Sequence, residues 1–224
     1  MNHPLDNPAH AALTGPHAEF AERRGQALRY QPDVAPFTAV PVGADAGAWA
    51  DAAALAGPGR RLFLPSDATP APADWEEWLR VDCFQLTGEA VRGRPDPEAV
   101  ELTEDDVPEI LDLVARTRPG PFLARTVRLG RYLGLRRDGA LVAMAGERMR
   151  LPGWTEVSAV CTDPAYRGQG LAARLVLAVS DGITARGGQP FLHAAIDNTG
   201  AVRLYESLGF RTRRKVGFVG VTVP

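Results

Sequence analysis

The chain has 224 residues, of which 45% are hydrophobic and 23% are charged, and its formal net charge is -2. This length is enough for one large domain or two small ones, each with its own hydrophobic core. The near balance of charges excludes an electrostatic basis for non-specific binding to nucleic acid or to an anionic membrane surface.

The two cysteines and the N-terminal sequence indicate a reducing compartment. Cys83 and Cys161 lie in apolar stretches without a CxxC pattern or a histidine at ligand spacing, so we predict reduced core thiols and no bound metal. The N-terminal residues lack the basic and apolar regions of a secretory signal, and no apolar run approaches the roughly 20 residues of a membrane helix. We therefore expect a cytoplasmic protein.

Hydrophobic patterns in the first half of the chain predict the order β-α-β-α-β. The predicted elements are strands at 36–40, 60–65 and 81–91 and helices at 45–57 and 73–80. We interpret Trp49, Trp75 and Trp78 as packing residues at helical spacing.

Residues 91–107 predict a linker, because they show no hydrophobic periodicity and contain several prolines, glycines and charges. We place a domain boundary near residue 97. This boundary predicts two domains, at 1–97 and 98–224.

The second half begins with a capping box, Thr103 with Asp106, ahead of a predicted helix. Two strands then flank Asp138-Gly139, a dipeptide typical of a hairpin turn. The remaining predicted elements are a strand, helix, strand, helix and strand at 153–162, 170–188, 190–197, 199–210 and 211–223. From Trp154 onward this order repeats that of the first half, so we predict a structural duplication in a mixed α/β fold.

The run Arg167-Gly168-Gln169-Gly170 lies between a predicted strand and a predicted helix, an arrangement typical of an anion site. The chain has no Gly-Lys-Ser/Thr, which excludes a nucleotide P-loop. Gly168, Gly170 and Ala173 satisfy the dinucleotide pattern G-x-G-x-x-A, and Asp197 ends the next strand. That alternative is weaker, because a polar stretch separates the turn from its strand and little chain remains for a parallel sheet.

Residues 160–175, "VCTDPAYRGQGLAARL", resemble the pyrophosphate-binding motif R/Q-x-x-G-x-G/A of the GNAT superfamily of N-acyltransferases. Downstream, "DNTGAVRLYESLGF" resembles the second signature of that family. The matching positions are Arg167, Gly170 and Ala172 in the first motif, and Asn198, Ala201, Tyr205, Gly209 and Phe210 in the second. The resemblance covers about residues 100–220.

The resemblance implies an α/β GNAT fold with a mixed central sheet flanked by helices. It implies that the backbone of Ala159, Val160 and Cys161 bonds the pantetheine and the thioester oxygen, where negative charge develops. The pyrophosphate would be wrapped by the amides of Arg167, Gly168, Gln169, Gly170, Leu171 and Ala172. With the predicted duplication, the first half resembles a degenerate copy of the same fold, as in glycine N-acyltransferase-like proteins.

The resemblance also implies that Tyr205 is the general acid for the departing thiolate, since a phenol is protonated at neutral pH. Asn198 is predicted to cap its helix and to contact the cofactor. Glu147 and Glu156 are equal candidates for the general base if burial raises their pKa, and each has the alternative of a solvated strand-face glutamate. His193 ranks below them.

These features predict an N-acetyltransferase that moves an acetyl group from acetyl-CoA, or another short acyl-CoA, to a primary amine of a small acceptor. Transfer would be a direct attack in a ternary complex. We expect a monomer or homodimer with no nucleic-acid or membrane partner. We also expect that the first half binds no CoA, because its turn has no arginine and places the acidic Asp45 where an anion would lie. The alternatives are a CoA-binding sensor or scaffold and a dinucleotide-binding protein.

Overall fold

The computed structural model describes residues 3–65 and 70–224. The helices in these ranges are α1 (Pro8–Leu13), α2 (Ala46–Ala56), α3 (Val107–Thr117), α4 (Leu171–Ala185) and α5 (Thr199–Ser207). The strands are β1 (Ala21–Arg24), β2 (Ala27–Tyr30), β3 (Thr38–Ala39), β4 (Arg61–Pro65), β5 (Glu76–Thr87), β6 (Val100–Leu102), β7 (Tyr132–Arg137), β8 (Ala140–Leu151), β9 (Trp154–Thr162), β10 (Gln189–Ala195) and β11 (Arg211–Thr222).

The described strands form a main sheet in the order β4-β11-β5-β10-β9-β8-β7-β6 and a small sheet in the order β1-β2-β3. In the main sheet β9 and β10 pair in parallel, and the other neighbours pair antiparallel. The predicted α/β class with a mixed sheet is therefore confirmed. A dinucleotide fold needs a mostly parallel sheet, so the topology contradicts that alternative.

Local signals explain the elements of the second half. The backbone N–H of Thr103 donates to the Asp106 carboxylate at 2.9 Å, which closes the predicted capping box ahead of α3. Asp138 and Gly139 both have positive φ, at 50° and 84°, as a type I′ turn between β7 and β8 requires. The predicted order of these elements is confirmed.

The helix predicted at 73–80 is wrong, because Glu76–Thr87 forms the single strand β5. β5 pairs with β11 over almost its whole length, and these ladder hydrogen bonds override a helical pattern of side chains. The first half also contains α1, β1 and β2, which were not predicted. Its order is therefore α-β-β-β-α-β-β, and the predicted duplication is not confirmed.

The main sheet includes strands from both sides of the boundary predicted near residue 97. β5 lies between β10 and β11, and β4 lies on the far side of β11. Residues 91–107 are also docked on the fold, since Asp96 accepts two hydrogen bonds from Arg174 of α4, at 2.6 and 2.8 Å. The division into 1–97 and 98–224 stays a prediction, and its two parts share one sheet.

Both faces of the main sheet are covered by apolar layers. Leu175, Val179 and Ile183 of α4 are buried against one face, and α1 lies on the other. Phe191 and Leu192 are consecutive on β10 and pack into these opposite layers, as expected for alternating strand side chains. Among the helices of the described residues, none is long and apolar enough to cross a membrane.

Candidate functional site

A cavity opens where the parallel strands β9 and β10 diverge. Their pairing runs only from Gln189 opposite Trp154 to Phe191 opposite Glu156. Beyond that point the ends of both strands line a cavity of about 1060 Å³. The two strands therefore pair at one end and separate toward the cavity.

The backbone of β9 is irregular where it lines this cavity. Cys161 pairs with Met144 and Ser158 pairs with Gly146, which leaves Ala159 and Val160 as a bulge without partners in the ladder. Ala159 has a φ of 53°, an unusual value for a residue with a side chain. Bulges of this kind occur next to active sites because they redirect a strand locally. Ala159, Val160 and Cys161 all line the cavity.

The glycine turn lies at one end of the cavity. Gly168 and Gly170 have φ values of 78° and 73°, and a Cβ built on either would have no atom within 4 Å. Glycine is therefore required here by conformation, and the space above the turn is open. Arg167 lines the cavity, and its guanidinium Nε donates to the carbonyl oxygen of Thr162 at 3.4 Å.

The N-terminus of α4 faces the cavity directly after this turn. Gly170 is the N-cap residue, so no side chain caps the first amides of the helix. Leu171 and Ala172 line the cavity, whereas Gln169 is exposed and outside its wall. Uncapped amides at the positive end of a 15-residue helix form a site for an anion such as a phosphate. The residues present thus fit a pyrophosphate.

Tyr205 and Asn198 bring α5 to the same cavity. The Asn198 Oδ1 accepts a hydrogen bond from the backbone N–H of Ala201 at 3.2 Å, which confirms the predicted cap. Tyr205 is 8% exposed. Burial, with a smaller contribution from Cys161, raises the pKa of Tyr205 to about 12. The phenol is therefore protonated at neutral pH.

Glu156 lies beneath the cavity in a buried ionic cluster. Its carboxylate accepts hydrogen bonds from Arg148 Nε at 2.8 Å and from Arg148 Nη2 and His193 Nδ1, both at 2.7 Å. Burial alone would raise the pKa of Glu156, but the Arg148 guanidinium outweighs burial and holds that pKa well below its usual range. The expectation of a raised pKa at Glu156 is therefore wrong.

The hydrogen bonds around His193 determine which ring nitrogen carries its proton. Gln85 Oε1 accepts from Arg213 at 2.8 Å, and Gln85 Nε2 donates to the carbonyl oxygen of Leu5 at 2.9 Å. The amide orientation assigned from these bonds aims an N–H of Gln85 at His193 Nε2, 3.1 Å away. His193 Nε2 is then the acceptor, and Nδ1 donates its proton to Glu156.

Glu147 is not brought to this cavity. Glu147 and Arg148 follow each other on β8, and only Arg148 lines the cavity wall. The Glu147 carboxylate is buried and pairs with Arg186, which ends α4 at the opposite end from the glycine turn. Glu147 therefore lies outside the wall of this cavity.

Sequence reasoning missed the far wall of the cavity. This wall is formed by Phe37, Phe63, Trp78, Leu79 and Phe218, which we call the aromatic wall. Four of these residues come from the first part of the chain, and no motif links them to the glycine turn. Trp78 was interpreted as a helical packing residue, whereas it lies on β5 and is 38% exposed.

Within residues 3–65 and 70–224, no cluster of histidine, cysteine, aspartate or glutamate side chains is arranged to hold a metal ion.

Replacing Glu156 tests the buried cluster. Glu156 is 0% exposed, so Glu156→Gln would leave the Arg148 charge buried without its partner. We expect the free energy of unfolding at pH 7 to fall by about 3–5 kcal/mol, measured by chemical denaturation. The exposed Glu206→Gln should change it by less than about 0.5 kcal/mol.

The same variant has an expected pH signature. The lowered pKa of Glu156 gives stability that is present above the unfolded-state value of 4.5 and is lost as pH falls toward about 2. The difference in unfolding free energy between wild type and Glu156→Gln should therefore shrink across this window. A difference that stays constant there would contradict the paired carboxylate.

Comparison with known proteins identifies related chains. The profile of the FR47-like protein family matches residues 132–219. The N-alpha-acetyltransferase RimI of Mycobacterium tuberculosis is 42% identical over 83 residues, which cover 36% of this chain and 51% of that protein. An uncharacterized protein of Mycobacterium leprae, ML0378, is 40% identical over 83 residues and is covered to 22%. The match thus spans about half of the first curated relative and a smaller part of the second.

Solved structures extend the similarity to the whole chain. A crystal structure assigned to the GNAT family of acetyltransferases, from Novosphingobium aromaticivorans, is 42% identical with a TM-score of 0.89, covering 99% of both chains. A GCN5-related N-acetyltransferase from Kribbella flavida is 18% identical, with a TM-score of 0.64 over 96% of this chain and 94% of that one, and shares the fold. On the evidence of the cavity, the two motifs and these relatives, the chain belongs to the GNAT family of acetyltransferases.

Proposed function

We propose that this protein transfers an acetyl group from acetyl-CoA to a primary amine of a small acceptor, by direct attack in a ternary complex. The observation that carries the proposal is the continuity of one cavity. It joins the uncapped N-terminus of α4 to the diverging strands, to Tyr205 and to the aromatic wall. Two substrates can therefore meet in it. The protein would act as a cytoplasmic monomer or homodimer, and its balanced charge gives no electrostatic basis for nucleic-acid or membrane partners.

The glycine turn and α4 would hold the pyrophosphate of acetyl-CoA, which supplies the activated acetyl group when bound. The first amides of α4 and the Arg167 side chain would donate to its oxygens. The bulged backbone at Ala159 and Val160 would bond the thioester oxygen and stabilise the negative charge that develops there.

Tyr205 would hold a proton at its Oη for the departing thiolate. Its burial in the cavity wall and its raised pKa support this role, because both keep the phenol protonated at the pH of the reaction. Asn198 would position Tyr205, because its side chain caps the first turn of the helix that carries Tyr205.

The described side chains that line the cavity offer no free base for the attacking amine. The Glu156 carboxylate is occupied by Arg148 and His193, and His193 Nε2 accepts from Gln85. None of the described residues that line the cavity is an aspartate or a glutamate. We therefore propose that the acceptor loses its proton to solvent before it attacks.

The pH dependence of the rate tests this assignment. If solvent takes the proton, kcat/KM should rise with pH toward the pKa of the free acceptor amine, because only the neutral amine reacts. A series of primary amines with different pKa values should shift the inflection in parallel with those values. An inflection that stays at the same pH for every amine would instead indicate that a group of the protein is the base.

The reaction itself is tested by turnover with acetyl-CoA and a panel of primary amines, measured as release of the CoA thiol. We expect thiol release that depends on the amine and a product that is the N-acetyl amine by mass spectrometry. Tight binding of acetyl-CoA with no transfer to any amine would contradict the proposal and favour a CoA-binding sensor.

A further inference from the structure

We propose that the aromatic wall makes the acceptor site selective for monoamines that carry an aromatic ring or a large apolar group. This inference rests on the proposed function, because it concerns the second substrate of that reaction. The residues of the aromatic wall come from β4, β5 and β11 and from the segment before β3. The first part of the chain thus supplies most of the selectivity.

A β-bulge places two large apolar side chains in this wall. Leu79 pairs with Gly220 and Glu77 pairs with Val221, which leaves Trp78 between them without a partner on β11. Consecutive residues of a regular strand face opposite sides of the sheet, but Trp78 and Leu79 both line the cavity. The bulge thus turns an ordinary strand into an apolar surface directed at the site.

Trp78 and Leu79 are the exposed part of the aromatic wall. Trp78 is 38% exposed and Leu79 is 37% exposed, whereas most large apolar side chains of the described residues are buried. Covering such adjacent apolar surface with an apolar ligand releases water and favours binding. The position of both residues in the wall of the reaction cavity identifies that ligand as part of the acceptor.

Gly220 and Arg61 both lie against the Trp78 indole. A Cβ on Gly220 would lie 2.5 Å from Trp78 Cε2, so the missing side chain gives the ring room to lie against β11. The Arg61 guanidinium lies 4.7 Å from the ring centroid. An aromatic surface fixed before binding loses little side-chain entropy when a ligand contacts it.

Three phenylalanines lie behind this surface, of which Phe63 is half-buried and Phe37 and Phe218 are buried. The rings of Phe63 and Phe218 are stacked with centroids 5.6 Å apart, and Phe37 lies 5.6 Å from Phe63 and 5.9 Å from Phe218. Such pairs prefer offset or edge-to-face geometries, which an additional aromatic ring can extend.

The charges around the cavity disfavour acceptors with a second ammonium group. The charged side chains in its described lining are Arg118, Arg148 and Arg167, and no carboxylate is among them. Glu156 beneath the wall is already paired with Arg148. The second ammonium group of a diamine would enter a site without a free anion to pair with it. Its binding would therefore carry a free-energy cost that a monoamine avoids.

The test compares acceptors in steady-state assays of the 224-residue chain with acetyl-CoA. We expect kcat/KM for 2-phenylethylamine to exceed that for propylamine by about tenfold or more, and 1,4-diaminobutane to be the poorest acceptor. Equal values for the three amines would overturn the inference while leaving the proposed function intact. Absence of transfer to any amine would overturn the proposed function itself.

Substitutions in the aromatic wall test whether it causes the preference for apolar amines. Leu79→Ser should lower the ratio of kcat/KM for 2-phenylethylamine to kcat/KM for propylamine about tenfold, and Trp78→Ala should do the same. The ratio is independent of the fraction of folded protein. Leu111→Ser is the matched control, because Leu111 is 36% exposed but lies on α3 outside the cavity wall, and it should keep the wild-type ratio. A ratio that neither Leu79→Ser nor Trp78→Ala lowers would overturn the role of the wall.

Discussion

Tyr205→Phe is expected to lower kcat by about 10² to 10⁴-fold, the usual range for loss of a general acid. The change keeps the ring and its edge-on contact with Phe210, at 6.0 Å between centroids, and removes only the hydroxyl. The phenol pKa of about 12 makes it a proton donor at every pH near neutrality. Acetyl-CoA binding and the fold should therefore be nearly unchanged, since the lost interaction is made mainly in the transition state.

Tyr132→Phe is the control for this experiment. Tyr132 is 0% exposed, is not part of the cavity wall, and its hydroxyl has no hydrogen-bond partner among the described residues. Its removal should leave kcat at the wild-type value and the melting temperature equal or higher. Full turnover by Tyr205→Phe would show that another group protonates the thiolate, and Tyr205 would then be a packing residue.

Gly170→Val is expected to abolish acetyl-CoA binding. In the wild type, acetyl-CoA at about 100 times its Kd should add about 2.7 kcal/mol of stability and raise the melting temperature, with one molecule bound per chain. The valine Cβ would occupy the open space above the turn, and the φ of 73° disfavours a β-branched residue. The variant should therefore show no ligand-induced shift.

The matched control is Gly187→Val at the other end of α4. Gly187 has a φ of 78° and open space around its Cα, so the backbone cost of valine is similar, but it lies outside the cavity. Gly187→Val should lower the melting temperature of the free protein and keep the acetyl-CoA shift. If both variants lose the acetyl-CoA-induced shift in melting temperature, the loss is due to general destabilisation. That result would contradict an anion site at the turn.

The sequence alone was sufficient for the parts of the site that depend on short-range geometry. The turn at Gly168 and Gly170 needs positive φ, the helix after it needs an uncapped start, and Asn198 caps the helix that carries Tyr205. Each of these requirements involves residues a few positions apart. A short sequence motif is therefore enough to predict them. The order of elements in the second half was predicted correctly because it too depends on neighbouring residues.

The roles of the buried glutamates depended on long-range packing. Glu147 and Glu156 look alike in sequence, and both are buried. The structure separates them, because Glu147 pairs with Arg186 at the far end of α4 whereas Glu156 lies below the cavity. The direction of the Glu156 pKa shift was decided by Arg148, a residue on the neighbouring strand that no local pattern links to it.

The path of the first part of the chain was also decided only by tertiary structure. Trp75, Trp78 and Leu79 follow helical spacing, yet residues 76–79 join β5 because their backbone groups pair with those of β11. The same pairing creates the bulge at Trp78 and completes the aromatic wall. Local residues thus determined the glycine turn, the uncapped start of α4 and the place of Tyr205 on α5, whereas strand pairing between distant segments determined the opposite wall of the cavity.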